Sequence, residues 1–283
     1  MLTEQERAKV YRYAYIPEHL PDYVQAVSRA EPHIHEDCLC FVRGPFLIFI
    51  GYPLRAATAW ESDVAVQAAV ESACERFQPG IVTLIAPQIP TDDRWTVHET
   101  DRYFRVELPL TAIGQDEAYM VRRAAREAIV AEGVFGKEHE RLIDGLVSVK
   151  RLGPAHQEIF HGIPGYLDHS GTAVLLELRR GNDLIAFSIL DLGSEDYGFH
   201  LFNFRSYERH VPGASDLLFH EMVRLAQGRG KRFLNLGLGI DAGVRRFKEK
   251  WGAGAFVDYG SAAWTRKRRG ITDILLGLAG IRP

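Results

Sequence analysis

Residues 171 to 207, "GTAVLLELRRGNDLIAFSILDLGSEDYGFHLFNFRSY", hold three strand-like apolar runs separated by the turn signals "RRGND" and "GSEDYG". Runs of this length joined by such turns form an antiparallel meander. Next comes "GASDLLFHEMVRLAQGRG", where Leu217, Leu218, Met222 and Leu225 recur at helical spacing and Gly228 and Gly230 end the helix. "RFLNLG" then reads as a strand, "GVRRFKEKWGA" as a short helix and "AFVDYGSAAW" as a last strand. This order restricts the second half to a mixed sheet with helices packed on it.

The first 110 residues read as mixed α/β in a similar order. "CLCFV" and "FLIFIGY" suggest a hairpin across "RGP". In "ESDVAVQAAVESACERFQPG", Val66, Val70, Ala73, Cys74 and Phe77 mark a helix that Ser62 can cap and Pro79-Gly80 stop. "IVTLIAP" and "YFRVELPL" follow as strands. From 115 to 150 the chain turns rich in Ala, Arg and Glu, with Gly133 and Gly136 between two helical stretches. The organisation this predicts is 1–114, a helical connector 115–150, and 151–283.

Composition narrows the partners more than the fold. With 283 residues, at roughly 100 to 200 per domain, the chain has room for two domains or one large one. A formal net charge of −3 gives no general pull toward nucleic acid or anionic membrane, though a local basic groove remains compatible. No apolar run reaches the roughly 18 to 20 residues of a membrane span. "MLTEQERAKVYRYAY" is charged and lacks the apolar core of a signal peptide. Three cysteines argue against a disulfide framework, so a reducing, cytoplasmic setting is expected. Oligomeric state is not legible.

The stretch "GVRRFKEKWGA" carries the sharpest anomaly. At about 100° per residue, Val244, Phe247 and Trp251 share one stripe, while Arg245, Arg246, Glu249 and Lys250 occupy the solvated remainder. Lys248 falls between Val244 and Trp251, on the apolar side. Either it snorkels to solvent at the core's edge, or the stripe borders a cleft where a cation stabilises an oxyanion or holds a phosphate.

The segment "ASDLLFHEMVRLAQGRGKRFLNLGLGIDAGVRRFKEKWGA" resembles the GNAT acyltransferase superfamily, in particular its Fem-type aminoacyltransferases and the C-terminal domain of phosphatidylglycerol lysyltransferases. An "FK-x-x-[FW]-G" ending is matched by Phe247, Lys248, Trp251 and Gly252. The resemblance covers 170–264 and implies tandem GNAT-like domains, each a mixed, mostly antiparallel sheet flanked by helices, the first of them degenerate. It implies acyl transfer to an amine acceptor, a small molecule or a peptide. Acyl-CoA is the expected donor and aminoacyl-tRNA the alternative; neither is a tightly bound cofactor. A non-catalytic module that binds a ligand in its cleft is the competing reading.

The resemblance also assigns residues. The pyrophosphate turn of GNAT enzymes corresponds to "RHVPGA", so Arg209, Gly213, Ala214 and Ser215 are the expected donor-binding residues. Pro212 replaces a glycine there and removes an N–H, which argues against the usual CoA mode. Lys248 falls at the transfer site, with Phe247 and Trp251 beside it as expected substrate-binding residues. Asn235 either orients the acceptor amine or caps the neighbouring turn. Tyr207, Glu177 and Asp191 are polar positions on the preceding strands. Tyr207 as a catalytic group and Glu177 as a substrate-binding group stand beside plain surface or hydrogen-bonded roles.

Three stretches read as decoys. In "EPHIHEDCLC", one extended strand puts His33 and His35 on one face and Cys38 and Cys40 on the other, so no metal site is expected. "GLGIDAG" lacks the GxGxxG spacing and its strand–helix–strand context. "TRKRRG" is a basic patch compatible with RNA or phospholipid contact, or with a solvated turn, and "ITDILLGLAGI" after it is too short to cross a bilayer.

Overall fold

Cys38, Leu39, Cys40 and Phe41 are consecutive and all buried. Side chains alternate across a strand, so burial of every position requires cover on both faces. Leu39 and Phe41 join one core cluster with Ile16 and Leu20, while Cys38 and Cys40 join another with Val66 and Val70. The sheet is therefore a middle layer between two layers of helices.

The computed structural model describes residues 1–54 and 63–265. The strands are β1 (Glu31–His35), β2 (Cys38–Arg43), β3 (Phe46–Pro53), β4 (Ile81–Ala86), β5 (Thr96–Glu107), β6 (Ile129–Glu132), β7 (Ala173–Arg180), β8 (Asp183–Asp191), β9 (Tyr197–Arg205), β10 (Phe233–Leu238) and β11 (Gly254–Thr265). The helices are α1 (Glu4–Tyr13), α2 (Pro21–Ser28), α3 (Asp63–Phe77), α4 (Gln115–Ala124), α5 (Lys137–Lys150), α6 (Pro154–His161), α7 (Ile163–His169), α8 (Ala214–Gly228) and α9 (Ala242–Lys250). None of the described helices is long and apolar enough to cross a membrane. The capping role of Ser62, most of "TRKRRG" and all of "ITDILLGLAGI" lie outside the described residues.

All eleven strands form one sheet in the order β1-β2-β3-β4-β11-β5-β10-β9-β8-β7-β6. Two separate sheets were expected, and the correction is informative. A meander β1-β2-β3 leads through α3 to β4, which is parallel to β3. A second meander β7-β8-β9 leads through α8 to β10, parallel to β9. β4 then takes β11 as its antiparallel neighbour, β10 takes β5, and β5 pairs with β11 in the middle. Each half is completed by a strand from the other half, and this exchange fuses the two sheets. The overall class, a mixed and mostly antiparallel sheet flanked by helices, is the expected one.

Two local readings also change. The 115–150 segment is not wholly helical, and β6 extends the sheet edge against β7. "EPHIHEDCLC" is a hairpin rather than one strand, turning at Glu36 with φ 54°. His33 lies opposite Cys40 and His35 opposite Cys38, so all four share a face. That face packs under α3, where His35 Nε2 meets Ser72 Oγ at 2.9 Å and His33 lies against Phe77. No group of metal-ligating side chains occurs among the described residues.

Candidate active site

The short helix α9 is fixed at both ends by its own sequence. Asp241 caps it, its carboxylate accepting from the Val244 N–H at 2.8 Å. At the other end Gly252 adopts φ 80°, a conformation that favours glycine, and the Lys248 carbonyl accepts from the Trp251 and Ala253 N–H groups. The glycine of the "FKEKWG" ending is thus a helix stop. Val244 and Phe247 are half-buried, and the residue of α9 that is fully buried is Lys248, 5% exposed. It does not snorkel to solvent.

The Lys248 ammonium donates to the backbone carbonyl of Leu238 and lies 5.8 Å from the Phe104 ring centroid. Burial pushes its pKa down to about 8, against the opposing pull of the Asp101 carboxylate. An ammonium has three donors, and one of them is committed to Leu238.

The place it reaches is a break in the sheet. β9 and β10 pair over Tyr197–Phe233, Gly198–Leu234 and Phe199–Asn235, and beyond these they are unpaired. Both strands carry irregularities there: β9 shifts register against β8 past His200, and β10 shifts against β5 between Asn235 and Leu238, where Gly237 has φ 72°. His200 stands on the β9 side of the opening. Its Nε2 is buried and has no hydrogen-bond partner among the described residues. Burial, and secondarily the Lys248 charge, lower the His200 pKa to about 4. A neutral imidazole with a vacant nitrogen therefore sits near a cation held by a backbone carbonyl. Sequence reading missed His200, since strand alternation marks its face and says nothing of the gap beside it.

The predicted donor-binding residues come together. Arg209, Gly213, Ala214, Ser215 and Phe247 all line one cleft of about 150 Å3 at the start of α8. Gly213 is required there: its φ is 82°, and a Cβ would stand 2.4 Å from the Met120 carbonyl oxygen of α4. The first-turn N–H groups of Ser215 and Asp216 have no backbone acceptor among the described residues, and Arg205 and His210 add basic groups to the wall. Despite Pro212, the turn keeps a polarity suited to an anion.

Other predicted residues are placed elsewhere. Asn235 points to the sheet face opposite Lys248, where its amide donates to the Tyr15 carbonyl and accepts from the Gly237 N–H, both at 2.7 Å. Both polar ends are engaged in holding the bulge. Glu177 lies under α5, ion-paired with Arg179 at 2.5 Å and 3.0 Å from Nε2 of His139, whose pKa burial lowers, again on the far face. Asp191 is buried and accepts from Tyr166, Thr172 and the Gly193 N–H. Trp251 is core, its indole hydrogen-bonded to Asp216. Tyr207 is 39% exposed and lines a second cleft, between α5 and the end of β9.

On the other side of α9, Arg245 and Glu249 face a cleft of about 800 Å3 over the β5–β11 seam, whose wall includes Phe104 and Asp101. Lys248 is thus flanked by two openings, with Phe247 facing the α8 cleft and its own neighbours Phe104 and Asp101 facing the seam cleft.

A meander, a parallel crossover through α8 and a parting of the two parallel strands make up the GNAT-like fold, and the chain has it. FemX matches it with a TM-score of 0.61 at 10% identity, over 98% of each chain. The C-terminal domain (DUF2156) of a putative lysylphosphatidylglycerol synthetase from Agrobacterium fabrum matches with 0.58 at 15% identity, over 97% of this chain and 94% of that one. A conserved protein of unknown function from Bacteroides thetaiotaomicron gives 0.64 at 11% identity, over 93% and 98%. No protein-family profile matches the chain, and no curated protein matches it in sequence. Identities this low establish a shared fold and leave chemistry to be argued from the site.

Proposed function

We propose that the chain is a transferase that moves an acyl group from an activated, phosphate-bearing donor to an amine. The observation that carries this is Lys248, a buried cation held at the opening between β9 and β10, beside the cleft at the start of α8. An amine nitrogen attacks the donor carbonyl, the oxygen gains negative charge, and the carbon–sulfur or carbon–oxygen bond then breaks to release the donor. A fixed ammonium in a water-poor site stabilises that oxyanion. The amine must lose a proton on attack, and the His200 Nε2, which has no hydrogen-bond partner among the described residues and feels the Lys248 charge, is the base assigned to take it. Arg209, Gly213, Ala214 and Ser215 hold the donor phosphates, and the acceptor enters by the cleft over the β5–β11 seam.

Acyl-CoA and aminoacyl-tRNA both fit this chemistry. The aminoacyl donor is favoured by one observation: FemX and the lysylphosphatidylglycerol synthetase domain are matched over nearly the whole chain.

The test is transfer of a labelled acyl or aminoacyl group, from acyl-CoAs and from charged tRNA, to a panel of amines and amino-terminal peptides. Wild type should form amide, and Lys248→Met should lose about 100-fold or more in turnover, the scale of one oxyanion donor. No amide from either donor class, or full turnover by Lys248→Met, removes the reading.

A further inference from the structure

Asp101 stands on β5, a strand from the first half of the chain, and its carboxylate closes onto the turn that leads into α9. β10 last pairs with β5 at Leu238–Tyr103, and the chain then runs through Gly239 and Ile240 to the cap residue Asp241. The Gly239 N–H donates to the Arg102 carbonyl at 3.1 Å, and the Ile240 N–H donates to Asp101 Oδ2 at 2.7 Å. Asp101 Oδ1 accepts from the Arg102 N–H at 2.8 Å and lies 4.0 Å from the Arg245 guanidinium. The Asp101 side chain is 10% exposed.

The fit around this carboxylate is close. A Cβ at Gly239 would stand 2.8 Å from Asp101 Oδ1 and 3.2 Å from Cε2 of Phe104, the ring that the Lys248 ammonium approaches. Ile240 adopts φ 58°, a conformation that a β-branched residue resists. The bond from its N–H to a carboxylate, a charge-assisted one, holds it there. This turn joins the two groups that aim Lys248. Leu238 just before it presents the carbonyl that accepts from the ammonium, and Asp241 just after it caps the helix on which Lys248 rides.

The same carboxylate supplies charge. Asp101 from β5 and His200 from β9 are the titratable groups coupled to the ammonium, while β10 presents the Leu238 carbonyl and Arg245 of α9 shares Asp101. Burial favours loss of the Lys248 proton, and Asp101 opposes that loss.

We propose that Asp101 is the positioning residue of the transfer site: it fixes the turn between β10 and α9 and keeps the Lys248 ammonium charged. The proposal rests on the transfer reading for the task of that ammonium. It also gives the exchange of strands a consequence, since a residue of the first half completes the site of the second.

The experiment follows the Lys248 amine itself, by carbon-13 NMR of protein labelled at lysine Cε, its signal being the one absent from Lys248→Met. In wild type the signal should titrate with a midpoint of about 8. Asp101→Asn keeps an oxygen for the Ile240 N–H and loses the charge. It should move the midpoint down by about one pH unit, the scale of one nearby opposite charge. Asp258→Asn removes an exposed carboxylate from the same cleft and should leave the midpoint in place. Gly239→Ala keeps every charge but drives the Asp101 carboxylate from the turn, so it should also lower the midpoint, and it gives the reading if Asp101→Asn does not fold. In the transfer assay the alkaline limb of turnover should move with the midpoint, which a merely structural role would not produce. The titration needs no substrate, so failure to form amide counts against the transfer reading alone. The proposal is overturned if the midpoint is the same in wild type and in the Asp101→Asn or Gly239→Ala protein, or if Asp258→Asn lowers it as far.

Discussion

The indole Nε1 of Trp251 donates to Oδ1 of Asp216 at 3.0 Å, and the Lys250 ammonium meets the same oxygen at 2.5 Å. Asp216 is in the first turn of α8, so this buried carboxylate ties the end of α9 to the start of α8. Lys250 is on the exposed side of α9, as helical spacing places it, and its ammonium reaches past the Phe247 ring to this oxygen. Lys250→Met should destabilise the fold by about 1–3 kcal/mol, since it leaves a buried carboxylate with one partner. Asp216→Asn in the same chain should recover part of that loss. A denaturation midpoint unmoved by Lys250→Met would show the pair to be incidental.

Gly213→Ala tests the start of α8. The substitution demands φ near 82° from a residue with a Cβ and drives that carbon against the Met120 carbonyl. The backbone term alone costs about 1–3 kcal/mol, and the overlap with a backbone atom adds to it. A lowered melting temperature together with loss of donor binding is expected. Retention of both would mean that α4 and the turn move apart freely.

How much of this was legible in the sequence follows from range. The α8 stripe, the meander and the anomalous Lys248 come from local periodicity, and all three are in the structure. The exchange of β5 and β11 between halves was not legible, because a strand's pattern reports its two faces and not its neighbours. β6 escaped for a related reason: it is four residues long, mostly exposed, and bounded by helices. The hairpin at Glu36–Asp37 turns without glycine, so "EPHIHEDCLC" read as one strand and its four side chains were assigned to the wrong faces. Asp216 lies 34 residues before Lys250, so no window along the chain could pair them.

His200 should set part of the acid limb of stability. Its pKa falls from 6.5 to about 4 in the fold, so the unfolded chain binds the proton more readily. Stability associated with neutral His200 is present above about pH 6.5 and is lost as the pH falls through about 4. His200→Gln removes the titrating group and should flatten the fall in unfolding free energy between those values by up to roughly 3 kcal/mol. Its turnover should drop with the amine acceptor as well. Identical pH–stability curves for the two proteins would place the imidazole in water.

Lys248 gives the converse window at alkaline pH. Its ordinary pKa of 10.5 is lowered to about 8 by burial, so the folded chain releases the proton first. The charge therefore destabilises the fold fully below about pH 8, and the cost fades as the pH rises toward 10.5. Relative to Lys248→Met, the wild type should gain roughly 3 kcal/mol across that interval. At pH 7 the methionine variant escapes the desolvation cost but loses the bond to the Leu238 carbonyl, worth about 1 kcal/mol, and should be at least as stable as wild type. A stable, correctly folded Lys248→Met that no longer transfers an acyl group separates function from fold at this one side chain. If the difference in unfolding free energy between the two proteins is flat from pH 7 to 10.5, the ammonium is solvated, and its assignment to the gap between β9 and β10 is wrong.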